Sequence, residues 1–405
     1  MLAVTLILSG FVKAVDPLGT QYKITDYLQA VHLGAYVPDF LTLGVSVLLS
    51  AFEFMIGLCL LFAIQRRLTS TIALLMMLVM TPLTLWLAIA NPVRDCGCFG
   101  DAVVLTNWQS FWKNVVLLAA AVIVSRWPLM MVRFISKSNQ WIVVNYSTIF
   151  ILLVSGLALY DLPYFDFRPY HIGADLKKGW QRVLEGEDLP YADFFMQHME
   201  DGEDITEQVL TQKGYVFLLV APYLEQADDS QLDLINQVYE YAEDNQYPFY
   251  CLTASGERAI GRWHDQTGAE YPFCQSDDVV LKTIIRSNPG LLLLKDGVII
   301  RKWSHNRLPD EYQLSEPLEQ LEIGKMSENS MSRRTLYIFL WYILPLMMLT
   351  LADRLWAWSN WVRRRKYLRN IKLIKRKNNE KENRSRQLED ESEPARGSGV
   401  GQGTE

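Results

Sequence analysis

Cysteine is scarce in this chain: there are five in 405 residues, Cys59, Cys96, Cys98, Cys251 and Cys274. That is too few for a disulfide scaffold. A signal-peptide pattern is also missing. The first apolar stretch, Leu2–Val15, lacks a basic start and a small-residue cleavage site. It reads either as a helix completed by its flanks or, preferably, as the later half of a first helix whose start codon is mis-assigned. No single sign of charge dominates, since the net charge is −6. The charges are instead sorted, with an acidic segment "EGEDLPYADFFMQHMEDGEDITE" and a basic tail, so the overall balance says little about partners. What the chain does contain is apolar sequence in blocks. Half of its residues are hydrophobic, and blocks of this kind mark a membrane protein.

Spanning a bilayer takes ~20 apolar residues. Five stretches reach that length: Phe40–Ile64, Leu68–Ala90, Trp108–Val124, Trp141–Tyr160 and Thr335–Ala352. With Leu2–Val15 they make about six spans. Basic loops stay in the cytoplasm. Arg66 and Arg67, then Arg126, Arg133 and Lys137, then ten Lys/Arg between Arg363 and Lys381 all fall on one side if there are six helices. The connections 16–39, 91–107 and 162–333 then lie outside. Trp356, Trp358 and Trp361 fit an interfacial belt ahead of the tail. The expected localisation is a bacterial inner membrane, with a large periplasmic domain and a cytoplasmic C-terminus. The expected divisions are 1–125 for a four-helix core, 141–160 for a fifth span, 161–199 for a linker, 200–325 for an α/β domain, 335–352 for a sixth span and 353–405 for the tail.

A carboxylate in the middle of a span is costly unless protonated or paired. Glu53 occupies such a place, in "LLSAFEFMIGLCLL". Lys13, near the outer end of the first helix, is a candidate partner, and protonation is the alternative. A functional role and a structural hydrogen bond between helices weigh equally. Cys59 has no nearby thiol in sequence and reads as a packing residue.

Beyond the fifth span the pattern changes to strands alternating with helices. "GYVFLLVAP", "YPFYCLTAS" and "AEYPFCQSD" read as strands. "DDSQLDLINQVYEYAEDN", "GERAIGRWHDQTG" and "DVVLKTIIRS" read as helices. "NPGLLLLKDGVIIRKWS" reads as a hairpin turning at Lys-Asp-Gly. The fold class expected is therefore a membrane bundle of all-α type with an inserted α/β domain. The order of elements resembles the thioredoxin fold of membrane-anchored thiol reductases. In "RSNPGLLLLKDGVII", Pro289 stands where that family has its cis-proline. The family also carries Cys-x-x-Cys after its first strand. Here that place reads "VAPYLEQADD", without a thiol, so ordinary thioredoxin exchange at the family's site is excluded. Cys251 and Cys274 fall on two strands that are plausible neighbours. A structural disulfide or two inert cysteines rank ahead of a redox pair. His264 and His305 read as surface residues.

The loop "NPVRDCGCFGD" sets Cys96 and Cys98 around one glycine. On the outer face thiols can be oxidised and disulfides persist. A disulfide closing so small a ring is strained, and strained disulfides are oxidising and labile. Arg94 would favour a thiolate, while Asp95 and Asp101 oppose it. Redox exchange ranks first, a permanent packing disulfide second and Cu(I) binding last, since two thiolates are few ligands and neither Met nor His is close in sequence.

"LILSGFVKAVDPLG" resembles the first helix of DoxX-type membrane proteins, and "DCGCFGD" resembles the cysteine loop of their MauE branch, with Glu53 in a matching place. The resemblance covers about residues 1–125. It implies maturation of a periplasmic enzyme rich in disulfides, alongside a thioredoxin-like partner. The bundle also resembles VKOR enzymes, but their Cys-x-x-Cys spacing and any quinone motif are missing, so neither quinone nor Cu(I) is supported as a cofactor. The basic tail needs only anionic lipid heads to explain it. No aromatic or fold signal points to nucleic acid, and "EKENRSRQLEDESEPARGSGVGQGTE" reads as disordered. The leading expectation is an inner-membrane protein that supports extracytoplasmic thiol–disulfide chemistry or redox-protein maturation, with Cys96 and Cys98 as the sulfurs and Glu53, Lys13 and Asp95 in support. The alternatives are a scaffold that binds a client through its thioredoxin-like domain, and a transport or metal-handling protein. Whether the chain is an enzyme stays open.

Overall fold

The computed structural model describes residues 1–93, 96–187, 189–327 and 331–392. Asp95 and Arg94, and the tail beyond Ser392, lie outside these described residues.

The membrane part begins with a bent pair of helices, α1 (Leu2–Val15) and α2 (Pro17–Ala30), which meet at 98°. The bend has a local cause. Asp16 caps α2 by accepting from the Gly19 N–H at 2.9 Å, and Pro17 follows at the first helical position. The helix α2 replaces the connection expected over 16–39. Four helices follow: α3 (Asp39–Leu61), α4 (Arg66–Ala90), α5 (Asn107–Arg126) and α6 (Gln140–Tyr160). Thr106 and Gln109 form a capping box that starts α5. The closing span runs through α12 (Met331–Ile338), a π-helical turn Phe339–Ile343 and α13 (Leu344–Ser392). Five helices are long and apolar enough to cross a membrane, or six if the bent pair counts as one span. The chain is a multi-pass membrane protein. The stretch from Glu380 to Ser392, expected as disordered, continues α13 as helix.

Gly10 and Gly57 bring α1 and α3 into backbone contact. A Cβ on Gly10 would stand 2.4 Å from the Phe54 nitrogen, and one on Gly57 would stand 2.7 Å from the Ile7 nitrogen. Membrane helices without a hydrophobic drive to associate rely on such small residues.

The α/β domain holds a six-stranded sheet in the order β1 (Gln197–His198), β4 (Phe273–Gln275), β3 (Phe249–Thr253), β2 (Tyr215–Val220), β5 (Gly290–Lys295), β6 (Val298–Ser304). Strands β2, β3 and β4 run parallel, and β5 and β6 form the antiparallel hairpin. Every residue of β2 is buried, as expected of a central strand covered on both faces. One face is covered by α7 (Leu176–Leu184), α8 (Thr206–Thr211) and α11 (Asp278–Ile284). The other is covered by α9 (Leu232–Asp244) and α10 (Glu257–Thr267). The fold class agrees with expectation. The segment 161–199 is not a linker, however. Tyr170, Leu176, Phe194 and Met196 are buried in the first core, and its Pro and aromatic content, which suggests a spacer, instead supplies packing.

Buried ion pairs tie the segment after α6 to the body of the domain. The Lys302 Nζ lies 3.0 Å from Asp166 and donates to the Ile284 carbonyl, while Arg168 donates to Asp166 at 2.8 Å and to the Thr283 carbonyl. At the opposite end, Asp353 of α13 accepts from Ser136 and Asn139 in the α5–α6 connection. Arg286 of the domain meets Asp16 and Asp101 of the membrane part, so the domain and the cysteine loop share one end of the bundle, and the basic helix leaves from the other.

Candidate functional site

The α1–α3 contact sets up the site. With the two helices pressed together at Gly10, Lys13 faces Glu53, and its ammonium donates to both carboxylate oxygens at 2.8 Å. Ser9, one turn earlier, places its hydroxyl 2.8 Å from Glu53 Oε2 and 2.7 Å from the carbonyl of Cys98. A serine hydroxyl has one proton for these two acceptors, so the Glu53 carboxylate and the cysteine loop compete for it. Tyr27 of α2 donates to the Cys96 carbonyl. Each cysteine is thus held through its backbone by a hydroxyl from a different helix.

Cys96 and Cys98 form a disulfide, with their Cα atoms 5.4 Å apart. Gly97 between them takes φ +61°, and a Cβ there would stand 3.0 Å from the Lys23 Cγ. A left-handed backbone under a packed lysine stem demands glycine. Lys113 of α5 sits over the Phe99 ring at 4.6 Å, a cation–π contact beside the second cysteine.

The α/β domain closes over this loop. Arg286, just after α11, places Nε 3.0 Å from Asp16 and Nη2 3.1 Å from Asp101. Burial disfavours the charge on Arg286, but Asp16 and Asp101 outweigh it and raise its pKa. Burial raises the pKa of the Asp101 carboxyl against the pull of Arg286, with Asp16 adding a second like charge. A cleft of about 150 Å³ remains between the two parts, lined by Asp16, Lys23, Gly97, Asp101, Lys282 and Arg286 among others.

The thioredoxin-like region itself holds no thiol near this contact. The Asn288–Pro289 bond is cis. Asn288 donates its side-chain amide to the Tyr223 carbonyl at 2.8 Å and accepts from the Asp228 N–H at 2.9 Å. His305, expected at the surface, has a side chain only 19% exposed and shares a 2.9 Å hydrogen bond with Ser287. His264 is exposed. The place of the missing cysteines is thus filled by polar groups bonded to one another.

The disulfide considered between Cys251 and Cys274 does not form, and both are free and buried. The register explains why. Cys274 stands opposite Leu252, one residue from Cys251. Side chains one residue apart point to opposite faces, so Cys251 joins one core and Cys274 the other. Cys59 is free as well. Among the described residues, no group of three or more His, Cys, Asp or Glu is placed to hold a metal ion.

Sequence reasoning paired Lys13 with Glu53 as a candidate and singled out the two loop cysteines. It missed Ser9, Asp16, Tyr27 and Arg286. Only Asp16 carried a local signal, as an acid directly before a proline.

Residues 1–126 match the model of a family described as methylamine utilisation protein MauE. No curated protein matches the chain. Among solved structures, a protein from Bacteroides thetaiotaomicron assigned as a disulfide isomerase is similar at 16% identity and a TM-score of 0.26, covering 32% of this chain and 86% of that one. The bacterioferritin comigratory protein of Xanthomonas campestris, studied for alkyl peroxide reduction, is similar at 13% identity and a TM-score of 0.22, covering 30% of this chain and 87% of that one. Likeness at this level says nothing of chemistry. The strand order of the domain is its own evidence of fold. The residues matched by the MauE family's model belong to the membrane part, which the chain joins to an α/β domain of thioredoxin-like strand order.

Proposed function

We propose that this membrane protein exchanges thiols and disulfides on the extracytoplasmic side through Cys96 and Cys98, with the thioredoxin-like domain, which lacks a Cys-x-x-Cys pair, as a cap that positions a client protein. The observation that carries this is the Cys96–Cys98 disulfide, held between Ser9 and Tyr27 and placed under the domain that Arg286 anchors. Disulfides persist outside the cytoplasm. The positive-inside rule supports an inner-membrane orientation, with the domain periplasmic and the basic helix cytoplasmic. In the exchange, a client thiolate attacks one loop sulfur and the loop S–S bond breaks. The released cysteine takes up a proton. The second client thiol then attacks the mixed disulfide, leaving the client oxidised and the loop as two thiols. A tethered cap raises the local concentration of whatever it binds.

Acid-quenched alkylation of intact cells tests this. The pair is expected in both oxidised and reduced forms, with client disulfide formation slowed by Cys96→Ser. A pair found only as a disulfide, with Cys96→Ser silent, would leave a scaffold as the better description.

A further inference from the structure

We propose that Arg286 is the positioning residue through which the α/β domain acts on the Cys96–Cys98 pair: by neutralising Asp16 and Asp101 beside the loop, it favours the reduced form. The inference rests on the exchange reading above and names the residue that couples the domain to the sulfurs.

Four observations carry it. The Arg286 side chain is 6% exposed, yet both of its carboxylate partners belong to the membrane part. Its Nε contacts both Asp16 oxygens, at 3.0 and 3.1 Å, and its Nη2 reaches Asp101 at 3.1 Å. Asp101 lies on the same short loop as the cysteines, and Gly97 lines the same cleft as all three charged groups. The guanidinium is held from both sides, donating to the Lys282 carbonyl of the domain and lying over the Tyr22 ring of α2. These contacts set the guanidinium between the two carboxylates.

The direction of the effect follows from charge. Reduction creates thiols that ionise to thiolates. Two carboxylates next to the loop oppose that ionisation, and a guanidinium between them cancels much of the opposition. Removing the guanidinium exposes the loop to both carboxylates, so the disulfide gains and the reduced pair loses. With an effective dielectric constant of ~20, one unit charge within roughly 10 Å of a thiolate changes its ionisation about tenfold, and the equilibrium follows where the reduced pair is ionised.

The test uses the full-length protein in lipid nanodiscs, equilibrated with mixtures of reduced and oxidised dithiothreitol at pH ~9.5, above the ordinary thiol value of ~8.5, so that the reduced pair carries thiolate charge, and then acid-quenched and alkylated. In this reaction the loop S–S bond breaks and two S–H bonds form, while dithiothreitol gives up its two S–H bonds and closes its ring disulfide. Arg286→Gln is expected to shift the equilibrium about tenfold toward the loop disulfide, a fall of ~30 mV in potential. Adding Asp16→Asn and Asp101→Asn to it is expected to return the equilibrium close to wild type. An Arg286→Gln equilibrium equal to wild type, or displaced toward the reduced pair, overturns the proposal. If Arg286→Gln loses its melting transition, Asp101→Asn replaces it. Removing one of the two carboxylates is expected to shift the equilibrium toward the reduced pair, and no shift, or a shift toward the disulfide, overturns the proposal. Failure of the exchange reading looks different: the wild-type pair then fails to respond to any dithiothreitol ratio.

Discussion

Lys13 and Glu53 meet at 2.8 Å with side chains only 9% and 5% exposed, beside the close α1–α3 backbone contact at Gly10. A buried pair of this kind is easy to break and hard to improve. Removing one partner leaves an uncompensated charge, at a cost of about 3–5 kcal/mol. Lys13→Met is therefore expected to lower the melting temperature of the detergent-solubilised protein sharply. Lys13→Met combined with Glu53→Leu is expected to recover most of the loss. A double variant as unstable as the single one would mean the pair contributes through something other than charge compensation.

Gly10 comes before that pair in the causal order. Because a Cβ at Gly10 meets α3 backbone rather than a movable side chain, Gly10→Val is expected to separate α1 from α3. Melting and non-reducing electrophoresis should report lower stability and a disulfide that reduces faster. Gly44, where a Cβ meets nothing within 4 Å, provides the control. Gly44→Ala is expected to be neutral.

The two hydroxyls that hold the cysteine carbonyls can be removed singly. A hydrogen bond of this kind contributes about 0.5–1.5 kcal/mol. Ser9→Ala and Tyr27→Phe are each expected to loosen the loop and speed its reduction by dithiothreitol severalfold. Equal rates for wild type and both variants would show that the loop keeps its shape without them.

The tie between the segment after α6 and the domain should respond to acid through Asp166. Burial raises the pKa of this carboxyl, but Lys302 and Arg168 override burial and hold it well below the usual range. The unfolded chain takes up the proton first as pH falls, at ~3.9. The stabilisation is therefore complete above that pH and is lost progressively below it, as pH falls toward the folded-state value. Burial also lowers Lys302, to about 8, against the pull of Asp166. From about 8 up to the ordinary lysine value the unfolded chain holds more protons, so the Lys302 contribution to stability rises with pH. Melting curves of Asp166→Asn should lack the acid loss. A wild-type-like acid slope in that variant would assign the loss to other groups.

Cys251 and Cys274 should be silent. Burial pushes the Cys274 thiol up to about 12 and that of Cys251 well above its ordinary value. Neither is expected to react with maleimide in the folded protein near neutral pH, and both should react in denaturant. The double Ser variant should leave the redox state of the loop pair unchanged.

Much of the architecture was legible because it depends on periodicity over long runs. The spans, the strand–helix alternation and the hairpin at Lys295-Asp296-Gly297 all announce themselves locally. What was not legible depends on three-dimensional closure. Nothing in sequence links Arg286 to Asp16, 270 positions away. Ser9 is one small polar residue in an apolar helix, and only the α1–α3 contact gives it partners. The segment 161–199 misled because Pro and aromatics suit a spacer and a core equally well. Cys251 and Cys274 misled because adjacency of strands is readable, whereas a one-residue register offset is not.

Sidedness carries everything else: the cysteine loop and the α/β domain must share the compartment opposite the basic helix. Intact cells can be treated with a membrane-impermeant maleimide, using variants that keep one reactive cysteine. These are Cys96 alone in a Cys98→Ser background, Tyr312→Cys on the domain surface and Lys137→Cys at the other end of the bundle. The first two are expected to label before the membrane is opened and the third only afterwards. Labelling of Tyr312→Cys in intact cells with Cys96 protected until lysis would contradict the shared compartment and, with it, any role for the domain at the disulfide.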